Sequence, residues 1–149
     1  MRRRKFVLGM TATMAVGMCP PSQAQQVRKQ KIGYLIASSK ERPAVQKYLR
    51  AFLQSLASLG YVEGQNIVIE YRFAELDFGR LPSLAAELVE LKVDVIVAAP
   101  TPAAVAARKV TSSVPIIMIN AGDPVGRGLV DSLARPGGNV TGSSFSCIS

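Results

Sequence analysis

Histidine and tryptophan are absent from the 149 residues, cysteine occurs twice, aromatic residues make up 6% and charged residues 19%. Without histidine there is no histidine triad, no histidine general base and no histidine metal ligand, which removes a large share of enzyme mechanisms. No stripe of basic residues interleaved with aromatics occurs, so the formal charge of +8 does not mark a nucleic-acid surface. Four of those charges, Arg2, Arg3, Arg4 and Lys5, crowd into the first residues, and setting them aside leaves +4. No nucleic-acid partner, metal or cofactor is therefore expected. What is present is a 48% apolar composition on a chain long enough for one core, the balance of a globular domain.

The N-terminus reads as an export signal. Basic residues Arg2 to Lys5 precede an apolar stretch from Phe6 to Met18, and Ser22-Gln23-Ala24 supplies small residues for cleavage before Gln25. The stretch is too short for a permanent membrane span. Arg3-Arg4-Lys5-Phe6-Val7 fits both an ordinary secretory signal and a twin-arginine signal, and the two stay open. Met18 before Cys19 argues against a lipid anchor, which needs a small residue there. The expected location is periplasmic or otherwise extracytoplasmic. After cleavage only Cys147 remains, so no intramolecular disulfide is available.

Beyond the signal, apolar runs alternate with helical patterns. Strands are expected at Ile32–Ala37, Ile67–Tyr71, Val93–Ala98 and Pro115–Asn120. A first helix carries Val45, Tyr48, Leu49, Phe52, Leu56 and Leu59 and stops at Gly60. A second carries Leu81, Leu84, Ala85 and Leu88, with Pro82 in its first turn. Thr101-Pro102 reads as an N-cap followed by proline, opening a third helix to about Val110, and Asp123-Pro124 repeats the device for a helix to about Ala134. Arg135-Pro136-Gly137-Gly138-Asn139 follows a helix and precedes a strand, the reverse of a phosphate-cradling loop, so it reads as a helix stop and turn.

This alternation implies an α/β fold, three-layered, with a mostly parallel sheet and helices on both faces. Right-handed crossovers place all strand ends on one edge, where ligands of such sheets bind. The loops at that edge hold Ser38 and Ser39, Thr101 at a helix N-terminus, and Asn120 with Asp123. Each has a plain structural role as an alternative: a solvated turn for the serines, capping for Thr101 and Asp123. Glu75 and Asp77 read as solvated loop and N-cap rather than an acid/base pair. No nucleophile, base and oxyanion hole assemble, so catalytic residues are not expected.

The residues Gly60-Tyr61-Val62-Glu63-Gly64-Gln65-Asn66, Ile69-Glu70-Tyr71-Arg72, Leu81-Pro82 with Ala85-Ala86-Glu87-Leu88-Val89, and the long run from Asp123-Pro124-Val125 to Asn139-Val140-Thr141-Gly142 resemble the type 1 periplasmic substrate-binding proteins of ABC transporters, in the tryptophan- or tyrosine-uptake branch. The resemblance implies a flavodoxin-like lobe of a two-lobed, non-enzymatic protein that closes on a small molecule and delivers it to an ABC permease. It also implies ligand-binding roles for Ser38, Ser39, Thr101, Asn120 and Asp123, with the Thr101 helix N-terminus holding a ligand carboxylate. The expected organisation is a signal peptide over 1–24, the N-terminal lobe over 25–142, and the start of a crossover over 143–149. A second lobe is not seen before Ser149, so a truncated lobe that binds weakly is the expectation. The other readings are a small flavodoxin-like enzyme or signalling domain, and an interaction module using its sheet edge and Cys147.

Overall fold

A computed structural model describes residues 28–122 and 138–144. The expected signal peptide, the helix from Asp123 to about Ala134, the start of the glycine-rich turn and Cys147 lie outside the described residues.

Five strands form one sheet: β1 (Gln30–Ile36), β2 (Ile67–Phe73), β3 (Val95–Ala99), β4 (Ile116–Ala121) and β5 (Val140–Ser144). Their spatial order is β2-β1-β3-β4-β5, and every neighbouring pair is parallel. This is the flavodoxin-like order, whose switch point lies between β1 and β3. The four expected strands are present with shifted ends. β2 runs two residues further than the alternation indicated, because Arg72 and Phe73 keep register with Leu35 and Ile36. β3 starts two residues later, because Asp94 turns its carboxylate onto the Lys31 N–H at 2.8 Å before the ladder begins.

Helix α1 (Pro43–Ser58) covers one face, while α2 (Leu81–Glu90) and α3 (Thr101–Val110) cover the other. The α2/α3 side is fully closed: Leu35, Leu81, Leu88, Ile96 and Ile116 are wholly buried there. Gly33 permits this closeness, since a Cβ at that position would stand 3.0 Å from Leu88 Cδ1. On the other face Val45, Leu49, Phe52, Leu53 and Leu56 of α1 pack over Ile32, Tyr34, Ile36, Ile67 and Ile69. Tyr34 meets Phe52 edge-to-face at 5.0 Å, a favoured aromatic arrangement. No residue of α1 is fully buried.

The segments that carry the family resemblance do structural work. Asn66 accepts from the Val62 N–H through Oδ1 and donates to the Gly60 carbonyl through Nδ2, both at 2.7 Å. Gly60 and Gly64 take positive φ of 88° and 85°, which glycine alone adopts at no steric cost. The loop between α1 and β2 is thus closed on itself. Arg72 on β2 donates to Glu87 on α2 at 2.8 Å. At the other end of the sheet Asn139 donates through Nδ2 to the Thr111 and Val114 carbonyls at 3.2 and 2.8 Å, and its own carbonyl receives the Ile116 N–H.

Gly142 of β5 stands opposite Met118 with φ at 140°, and a Cβ there would collide with the Met118 backbone. Gly142→Ala is expected to destabilise the fold by about 2–4 kcal/mol, combining backbone strain and overpacking, as measured by the denaturant midpoint of unfolding.

Tyr71 gives a pH signature. Burial, and then the Glu63 carboxylate that accepts its hydroxyl proton at 3.3 Å, push its phenol from 10.0 up to about 12. A folded value above the unfolded one favours the protonated state, so this contribution to stability is complete below about pH 10 and is lost as pH rises through about 12. The difference in tyrosinate absorbance between the wild type and Tyr71→Phe should show that late midpoint. Glu63→Gln should lower it while leaving it above 10.0, because burial is the larger cause.

Candidate functional site

Because all strands are parallel, the ends of β1, β3 and β4 come out together beside the N-terminus of α1. Between them lies a cleft of about 210 Å³. Its apolar wall is Tyr34 and Ile36 from β1, Val45, Tyr48 and Leu49 from α1, and Ile119 from β4. Its polar rim is Ser38, Arg42 and Asn120, with Ala99 and Pro100 between them. Small-molecule pockets run to roughly 300–1,000 Å³, so the cleft is smaller than most of them.

Ser38 is held at the rim by Arg42, whose Nη1 donates to its Oγ at 3.4 Å. Arg42 precedes Pro43 and is extended (φ −64°, ψ 127°), as a residue before proline must be. It is the cationic side chain of the described lining. Tyr48 is 55% exposed and stands at the mouth, whereas Tyr34 is 3% exposed and forms the inner wall. Asn120, the penultimate residue of β4, takes φ of 55° within the irregularity between Met118 and Ala121. Bulges and left-handed non-glycine residues re-aim side chains and collect at functional sites.

Of the residues singled out in the sequence, Ser38 and Asn120 line the cleft together. Ser39 does not; its Oγ accepts from the Glu41 N–H at 3.4 Å and shapes the turn into α1. Thr101 is corrected from helix cap to first helical residue: Pro100 occupies the cap position and makes no side-chain cap bond. The Thr101 side chain is buried, and its Oγ1 instead accepts from the Gly122 N–H at 2.9 Å, tying α3 to the end of β4. The α3 terminus also has fewer free donors than expected, since Pro102 has no N–H and Ala103 donates to the Pro100 carbonyl at 3.0 Å. Asp123 lies outside the described residues. Asp77 caps a single 3-10 turn over Phe78–Arg80 by accepting from Gly79, as its N-cap reading implied.

Arg42, Tyr34 and Tyr48 also line the cleft without having been singled out as site residues in the sequence. The available signal was the Arg-Pro pair ahead of α1 and the tyrosine at the helical spacing that places it beside Val45 and Leu49. Among the described residues no cluster of acidic or cysteine side chains could hold a metal, and no helix is long and apolar enough to cross a membrane.

A parallel α/β sheet whose strand ends open on an apolar, polar-rimmed cleft has the architecture in which α/β proteins hold small ligands. Comparison with known proteins makes this specific. Residues 35–147 match the family model for ABC transporter substrate-binding proteins, and the chain belongs to that family. It is a family of substrate-binding proteins rather than of enzymes, and its members are extracytoplasmic and work with an ABC transporter. A tyrosine-binding protein of Clostridioides difficile (strain R20291) is 43% identical over 118 residues, covering 78% of this chain and 34% of that protein. The ligand-free, open form of a substrate-binding protein with adhesive properties from Clostridium difficile superposes with a TM-score of 0.74 at 35% identity, over 80% of this chain and 40% of that one. A domain from Streptococcus pneumonia in complex with L-Trp gives a TM-score of 0.72 at 34% identity, over 78% and 38%. The chain therefore spans about a third of the length of the curated relative it matches.

Replacing Thr101 by Val removes the acceptor of the Gly122 N–H while keeping the shape of the side chain. It is expected to cost about 1–3 kcal/mol of stability, the penalty for an orphaned buried donor, readable as a lowered Tm.

Proposed function

We propose that this chain is the ligand-binding N-terminal lobe, residues 25–142, of an exported ABC importer component that captures a small molecule with an apolar body and an anionic group. An aromatic amino acid is the leading ligand class. The observation that carries this reading is the cleft itself: an apolar wall of tyrosines and aliphatics ending in Ser38, Arg42 and Asn120. The apolar wall suits a ring or aliphatic body, and a guanidinium suits a carboxylate. The tyrosine and L-Trp relatives support the same class.

Asn120 and Ser38 are assigned direct polar contacts, and Arg42 the ligand carboxylate. Thr101 supports the site through Gly122, and Ser39 through the turn before α1. Asp123, which follows the Asn120 loop in sequence, is assigned to a ligand ammonium. The leader over residues 1–24 would direct export to the periplasm, where an ABC permease would receive the ligand.

One wall recognises a ligand weakly, because tight small-molecule sites bury most of the ligand surface. Titration of the 149-residue chain with L-tyrosine and with L-tryptophan, followed by amide chemical shifts, should perturb Ser38, Arg42, Tyr48 and Asn120 with a Kd weaker than about 1 mM. Arg42→Ala should weaken it further. Shifts clustered elsewhere, or none at these residues, would overturn the site; calorimetric binding at micromolar or tighter would overturn the one-walled reading.

A further inference from the structure

β2 is an edge strand of the sheet, and the direction of its backbone groups can be assigned. Ala74 donates its N–H to the Ile36 carbonyl at 2.8 Å, so the even-numbered residues of this segment face β1. The odd-numbered residues Ile67, Ile69, Tyr71 and Phe73 then turn their N–H and C=O groups outward. Two bonds agree with this. The Ile67 carbonyl accepts from the Gly64 N–H at 2.9 Å, and the Tyr71 carbonyl accepts from Arg72 Nη1 at 2.8 Å. Beyond the bridge at Ile67, no other strand among the described residues meets this edge. From Glu70 to Phe73 the strand is partly exposed, and Ile67–Phe73 contains neither proline nor lysine, the usual guards of an edge.

Such a row is a template for another strand, and the side chains of β2 select which one. An antiparallel two-fold pairing must set outward residues against outward residues, so its axis passes through a residue of β2. An axis at Glu70 would oppose two glutamates, and one at Arg72 two arginines; like charges directly opposite are destabilising. An axis at Ile69 or Phe73 would leave Glu70 opposite no cation. An axis at Tyr71 sets Glu70 against the partner's Arg72, and Arg72 against the partner's Glu70. It also sets Tyr71 against the partner's Tyr71 and Ile69 against the partner's Phe73, apolar pairs on the α1 face. In this register every outward N–H and C=O from Ile69 to Phe73 gains a partner, the Tyr71 carbonyl through its second lone pair.

We propose that the outer edge of β2 docks a second copy of this chain, the two β2 strands pairing antiparallel about a two-fold axis at Tyr71 so that one sheet continues into the other. The backbone ladder supplies the attraction, and the Glu70–Arg72 cross-pairs fix the register. Arg72 is already oriented for this, because its Nε donates to Glu87 at 2.8 Å and holds the guanidinium beside the edge. No residue of β2 lines the cleft, so the pairing leaves the cleft open and does not depend on the function proposed for it. One strand edge is a small contact, which places the dimer among transient assemblies with a Kd of about 0.1 mM.

Sedimentation equilibrium of the 149-residue chain under reductant should show a monomer–dimer equilibrium. Glu70→Arg turns both cross-pairs into like-charge contacts and should weaken that association by about tenfold or more. The register is read by disulfide trapping in a Cys19→Ser, Cys147→Ser background. Tyr71→Cys should cross-link under mild oxidant, because a hydrogen-bonded pair on the axis stands about 5.5 Å apart between Cα atoms, within disulfide range. Phe73→Cys should not, because its two copies would lie about 13 Å apart along the strands. A chain that stays monomeric up to about 1 mM, ten times the expected Kd, overturns the proposal. So does association that Glu70→Arg leaves unchanged, or cross-linking of Phe73→Cys as readily as Tyr71→Cys.

Discussion

β1 is hydrogen-bonded on both sides, to β2 along seven residue pairs and to β3 along five, and both ladders are parallel. Parallel pairing cannot be closed by a hairpin, so the chain leaves β1 through α1 on one face and returns to β3 through α2 on the other. That single constraint separates the loops after β1 and β3 and opens a crevice between them. It also explains why the polar rim gathers at one edge: the ends of β1, β3 and β4 have no other place to emerge. Backbone bonds extend the arrangement past the ladders, with Ala37 donating to the Ala99 carbonyl at 3.0 Å and Ala74 to the Ile36 carbonyl at 2.8 Å. The rim therefore stands on a fixed base.

The residues that make the family recognisable and those that face the cleft are largely different sets. Asn66 closes the loop after α1, Arg72 joins β2 to α2, and Asn139 joins the loop before β4 to the start of β5. Each satisfies backbone or charged groups that would otherwise be left unpaired at an element's end. Their side-chain geometry is demanding, which accounts for the specificity of these motifs. The cleft is built instead from side chains whose types recur in any protein: a serine, an arginine, an asparagine, a proline, two tyrosines and a few aliphatics.

This division explains what could be read in advance. The strands were legible because Ile32 to Ala37 and Ile116 to Ile119 are continuous apolar runs, the mark of a sheet covered on both faces. Ser38 and Asn120 were legible because they lie where such apolar runs give way to loops. Arg42 was not, since an arginine before a proline looks the same whether it meets solvent or a serine four residues back. Tyr34 was read only as one apolar residue of a buried strand, since its place in the wall of a cleft is a fact of three-dimensional packing. Thr101 was misplaced by one position for a related reason. Local rules allow either cap or first helical residue, and the deciding partner, Gly122, lies twenty-one residues along the chain.

The packing of α1 bears on how such a lobe can diversify. The helix lends Val45, Tyr48 and Leu49 to the cleft and has no fully buried residue, whereas α2 places Leu81 and Leu88 wholly in the opposite core. Substitutions in a tightly packed layer are costly, and those at partly exposed positions cost little. Chemical taste and structural integrity are thus written on opposite faces of the sheet. New side chains can be tried on the α1 layer while the α2/α3 layer continues to hold the molecule together, so on the proposed site a change of ligand need not cost the fold.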